Sequence, residues 1–95
     1  MTKYSFDEVV SDLRARRKSL RCSELIKHLE SLGFVVKKGS SGNHHRFSHP
    51  KISSFYGGAF DCGHGRTPQV LHVYVDNIVK TLETYEFELR SENEK

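Results

Sequence analysis

No stretch of this 95-residue chain approaches the roughly 18 consecutive apolar residues of a membrane span. The N-terminal run MTKYSFDEVV carries acidic residues where a signal peptide needs an apolar segment, so the expected location is the cytoplasm, with no membrane partner. Cysteine is equally sparse. Cys22 and Cys62 are single residues with no CxxC pair, too few for a disulfide framework, and are expected to be buried small hydrophobes. Internal repeats are absent, and the length leaves no room for a second hydrophobic core. Charge of one sign is also lacking in excess: 15 basic residues stand against 12 acidic ones. The resulting +3 and pI near 9.0 suit a polyanionic partner without requiring one.

What is present is enough for one α+β domain. Ser5 to Glu8 reads S-x-x-E, a capping box, and Phe6, Val9, Val10 and Leu13 follow at helical spacing, predicting a helix over 6–16. It ends in the basic run RARRK, whose residues read better as a solvated face and helix C-terminal charge than as a dedicated RNA contact. Leu25, Ile26, Leu29 and Leu32 mark a second helix over 22–32, with Gly33 as its stop. After Gly33 the period changes. FVVKK predicts a strand at 34–38, GSSG a hairpin turn, and NHHRFSH a return strand at 43–49, closed by Pro50.

SSFYGGAFDC suggests a third strand over 54–62, where Gly57-Gly58 signals a bulge or a close backbone approach. GHGRTPQ is loop, while VLHVYV fits a short strand or the approach to a helix equally well. Val75, Ile78, Val79, Leu82 and Tyr85 give a final helix over 73–85, and the tail ELRSENEK is expected to fray. The order is α-α-β-β-β-α. The chain divides into an N-terminal helical extension (1–19), the main domain (20–87) and a polar tail (88–95). The expected core is Phe6, Val9, Leu13, Leu25, Ile26, Leu29, Phe34, Val36, Phe47, Ile78, Val79 and Leu82.

The chemistry gathers on the second strand. Side chains alternate along a strand, so Asn43, His45, Phe47 and His49 share one face and His44, Arg46 and Ser48 the other. With Phe47 turned to the helices, His44 and Arg46 stand together on the open side of the sheet. An imidazole there can exchange protons near neutral pH, and a guanidinium about 6–7 Å along the strand can hold a phosphate. Metal binding by the histidines is disfavoured. His44 and His45 lie on opposite faces, and His45 and His49 are about 13 Å apart in an extended strand. Only a site recruiting His64 would work, and no carboxylate or cysteine stands at ligand spacing to complete one; neither metal nor cofactor is expected.

LIKHLESLGF, a basic strand, GNHHRFSHP, a strand leading to a histidine and a helix of the type IVKTLE together resemble the HicA toxins, small ribonucleases of toxin–antitoxin modules. The resemblance covers about residues 20–85. Leu25 to Phe34 match a leucine-rich helix ending in Gly-Phe, and Gly42-Asn43-His44 match the Gly-Ser-His step that opens the second strand. It implies a fold like a double-stranded-RNA-binding domain, cleavage of mRNA without a metal, and silencing by a HicB antitoxin. On that resemblance His44 is the catalytic residue and His64 an accessory. Asn43 replaces the usual serine, the segment 65–73 is long, and the first helix is an addition.

Residue chemistry fits the same activity without specifying it. RNA carries its own nucleophile, so cleavage needs a base, an acid and a cation for the phosphorane charge. His44 can serve as base or acid, with Arg46 and Lys37 or Lys38 as cations. The remaining histidines His28, His45, His49 and His72 suit packing or solvent. The alternative is a non-catalytic RNA-binding module of the same fold, gripping phosphates and 2′-hydroxyls through Lys37, Lys38, Arg46 and Arg66.

Overall fold

The computed structural model describes residues 4–39, 43–63, 66 and 68–93. Helices α1 (Phe6–Ala15) and α2 (Cys22–Ser31) precede strands β1 (Val35–Lys38), β2 (His44–Ser48) and β3 (Gly58–Asp61), and α3 (His72–Thr84) and α4 (Glu86–Asn93) follow. The strands form one antiparallel sheet in the order β1-β2-β3. The helices cover one of its faces. This is the α+β layout of the double-stranded-RNA-binding type, with a helix added at each end.

The helix starts follow from local chemistry. The Ser5 hydroxyl accepts from the Glu8 N–H at 3.2 Å, and the Glu8 carboxylate accepts from the Ser5 N–H at 2.8 Å. Two amides left orphaned by helix geometry are thereby satisfied. At the end of α2, Gly33 takes φ +92°, and a Cβ there would also sit 2.9 Å from His49 Nε2. Glycine is required twice over.

One core joins all layers: every residue expected inside is buried except Ile26 and Val36, which are partly buried against it. Leu20, Leu32, Ile52, Phe60, Val70 and Leu89 belong to it as well. Phe34, Phe47 and Phe55 pack edge to face or stacked with ring centroids 5.6 Å apart. Such pairs add about 0.5–1.5 kcal/mol each beyond burial.

Three expectations change. First, β3 is under half the expected length: positive-φ Gly57 turns the chain, so pairing begins only at Gly58, where the absence of a Cβ lets the strand lie against the Phe47 ring. Second, the tail is helical over its described residues, 88–93, rather than frayed. Leu89 is fully buried, and Arg90 reaches Asp7 at 2.6 Å and Glu86 at 2.7 Å with its guanidinium over the Phe6 ring, so α4 docks on α1. Third, the two cysteines are bonded to each other. Cys22 opens α2, and Cys62 directly follows β3 and bridges to Val70; they are forty positions apart in sequence, but folding sets their Cα atoms 5.6 Å apart. Both are buried, as expected of small hydrophobes.

The ambiguous VLHVYV splits. Val70 donates to Leu20 O and pairs with Cys62, and α3 begins two residues later. The arginines of the basic run that ends α1 are paired internally: Arg14 with Glu83, Arg16 with Asp12 and Glu24 at 2.8 Å each, and Arg17 with Asp76. No helix is long and apolar enough to cross a membrane among the described residues.

Candidate functional site

The faces of β2 fall as the alternation requires. Phe47 and His49 are buried beneath the helices, while Arg46 is exposed and His44 is half exposed on the open face. Register sets the neighbours: Lys37 lies opposite Arg46, which lies opposite Ala59, and His44 lies opposite Asp61. Lys37 and Arg46 therefore stand side by side. Lys38 pairs with His45 and projects from the other face at the sheet edge, exposed but apart from that group. Arg66 is exposed in the loop before α3. His64 and the turn residues 40–42 lie outside the described residues.

Opposition in register brings a carboxylate onto His44 that sequence reading missed. The His44 Nδ1–H donates to Asp61 Oδ1 at 2.7 Å, and the Tyr74 hydroxyl, from α3, donates to Asp61 Oδ2 at 3.1 Å. Both oxygens of one carboxylate are thus committed. The His44 bond first, then the Tyr74 bond, hold the Asp61 carboxyl below its ordinary value, so it is an anion throughout the neutral range. The same pairing raises the Tyr74 phenol. An Nδ1–H fixed on a carboxylate selects the tautomer whose lone pair is on Nε2, the state that can accept a proton. A shallow groove beside this relay crosses the sheet between Val35, Lys37, Arg46, Tyr56 and Ala59, and Tyr56 at its rim is 98% exposed.

His28, His45 and His49 are engaged in packing. His49 Nε2 bonds Leu32 O at 3.0 Å while its Nδ1 accepts from the Lys51 N–H at 3.1 Å, so both ring nitrogens are used within the fold. His28 is buried, bonded to Asp12 at 2.7 Å and edge-on to Tyr4. His45 turns inward, flat on Phe60. His72, the first residue of α3, is exposed.

A three-stranded antiparallel sheet with helices on one face is the arrangement of a small α+β domain of the double-stranded-RNA-binding type. Within that class, residues 22–56 match the family model described as the HicA toxin of bacterial toxin–antitoxin systems, so the chain is HicA-like over somewhat more than a third of its length. No curated protein and no solved structure matches it. The matched segment contains Lys37, Lys38, His44 and Arg46, whereas Asp61 and Tyr74 lie beyond it.

Proposed function

We propose that this chain is the toxin of a type II toxin–antitoxin pair, an endoribonuclease that cuts mRNA in the cytoplasm without a metal, with His44 as its general acid–base residue. The observation that carries this reading is the His44–Asp61–Tyr74 relay on the open face beside Lys37 and Arg46. His44 Nε2 takes the proton of the ribose 2′-hydroxyl as that oxygen attacks phosphorus. The bond to the 5′-oxygen then breaks, and the proton returns from the imidazolium to the leaving oxygen. Products are a 2′,3′-cyclic phosphate and a 5′-hydroxyl. Asp61 acts through His44, holding its tautomer and balancing the imidazolium charge. Lys37 and Arg46 sit where the phosphorane dianion needs cations. Tyr56 offers an exposed ring on which a base can stack, worth about 1–3 kcal/mol per base in such platforms. A HicB-like antitoxin is the expected partner, covering this face.

Asn43, standing where the family has serine, favours a second reading as an RNA-binding module without turnover. One experiment separates the two: the chain with its disulfide intact is incubated with RNA in excess chelator, beside His44→Ala. Cleavage by the wild type alone, with cyclic-phosphate ends and none when the scissile ribose is 2′-deoxy, supports the nuclease. Binding without cleavage by either protein replaces it with the binding module.

A further inference from the structure

We propose that, once the Cys22–Cys62 bond is reduced, Cys22, Cys62 and His45 form a binding site for one thiophilic divalent cation of the zinc class. The three residues come from different places in the fold, the start of α2, the position directly after β3 and the inner face of β2. Their ligand atoms nevertheless all lie within 4.8 Å of one another. His45 Nδ1 is 3.4 Å from Cys62 Sγ. That separation is close to the edge of a tetrahedron with metal–sulfur bonds of about 2.3 Å and a metal–nitrogen bond of about 2.0 Å. Two thiolates and one imidazole are a donor set that zinc favours over magnesium or calcium.

The ring is aimed rather than loose. His45 lies on Phe60 with centroids 5.3 Å apart and planes 4° from parallel, and Asn43 O is 3.2 Å from the same Nδ1. A disulfide sulfur is a weak acceptor, so contact with Cys62 gives this nitrogen little in the oxidised chain. In the reduced chain the same contact becomes a ligand position. Cys22 is the first residue of α2 and is buried, so its Sγ is positioned by the helix and the core around it.

The chemistry balances with a dithiol or phosphine reductant. Two electrons from the reductant convert the disulfide to two thiols. Binding of the cation then displaces both thiol protons, and the His45 proton moves from Nδ1 to Nε2. The fourth position is filled by water or by a further donor. Reoxidation to the disulfide by thiol–disulfide exchange expels the ion. The site lies behind the relay, since His45 follows His44 and Cys62 follows Asp61, and it stands independently of the nuclease reading.

The test is a titration of the full, reduced, metal-free chain with Co²⁺ under nitrogen. One equivalent is expected to produce near-ultraviolet thiolate-to-cobalt charge transfer and the intense visible absorption of a tetrahedral ion, both abolished by one equivalent of Zn²⁺. The disulfide-bonded wild type, which needs no substitution to remove the site, should show neither. Cys22→Ser and Cys62→Ser should each lose about half of the charge-transfer intensity or all binding, and His45→Gln should weaken affinity roughly tenfold to a hundredfold. Absence of charge transfer in the reduced wild type overturns the proposal. So does an equal signal from the oxidised chain, or weak absorption of imidazole type alone, which would place the ion on surface histidines.

Discussion

At the scale of single residues, the proposed nuclease reading is tested most directly by the carboxylate hydrogen-bonded to His44. Asp61→Asn keeps the shape and removes the charge and the tautomer preference. It should lower the cleavage rate about 10–100-fold, less than His44→Ala, which removes the proton acceptor itself and should cost about 10²–10⁴-fold. Single-turnover kinetics on one RNA compares them, and an unchanged rate in Asp61→Asn would reduce the relay to a surface hydrogen bond. Tyr74→Phe removes one donor from the carboxylate. Since that bond helps to lower the Asp61 carboxyl from 3.8, its loss should move the group back up, as a carboxyl-carbon NMR titration would read. His44 was legible from its strand and from the open side of the sheet, but Asp61 was not. The register of β3 against β2 depends on a nine-residue connection, 49–57, in which positive-φ Gly57 and buried Ile52 set the path. Alternation alone cannot count residues across such a loop.

At the scale of elements, local signals located α1, α2, β1 and β2 because each is set by its own residues: a capping box, a leucine stripe, a stop glycine, a change of period. What escaped was decided by partners distant in sequence. β3 is shorter than its residues suggest because the chain turns at positive-φ Gly57, and pairing with β2 starts at Gly58, the one residue type that fits against the Phe47 ring. The tail seemed too polar to fold, yet one leucine in it fills the gap beside α1 and the Arg90–Asp7 bridge closes over it. The cysteine pair is the same kind of miss, two residues forty apart in sequence that folding brings together where α2 begins and the chain leaves β3. Leu89→Ala should therefore destabilise the whole domain by about 2–5 kcal/mol, as a cavity in a shared core does. Urea unfolding measures this, and a loss under 1 kcal/mol would mean that α4 is peripheral after all. Closing a loop of forty residues is worth about 4 kcal/mol by chain entropy, so reduction in metal-free buffer should lower the urea midpoint visibly.

For the molecule as a whole, charge is divided between structure and surface. Arg14, Arg16, Arg17 and Arg90 are held in ion pairs with the carboxylates of α1, α2, α3 and α4, and Asp7, Asp12, Glu24 and Asp76 are lowered from their ordinary values by hydrogen bonds, mostly to these arginines. A carboxyl lowered by folding contributes stability that is full well above its unfolded value and is lost as pH falls through the folded one. The domain should consequently keep its urea midpoint from neutrality to about pH 5 and lose it progressively below about pH 4. Lys37 and Arg46, by contrast, form no ion pair among the described residues and stand on the uncovered face beside His44. An acidic protein that seats on this face would neutralise both cations and bury the imidazole in one step. Its association rate should fall as salt rises, because screening shortens to about 10 Å at 0.1 M, while its dissociation rate should depend far less on salt. Charge and catalysis can then be separated on the same surface. Arg46→Glu should slow association with a HicB-like antitoxin and also cut RNA cleavage, whereas His44→Ala should abolish cleavage and leave association at the wild-type rate. Stopped-flow association at several salt concentrations, run beside an RNA-cleavage assay, reads both. If Arg46→Glu associates as fast as wild type at low salt, the antitoxin docks elsewhere, and inhibition would have to act at a distance from His44.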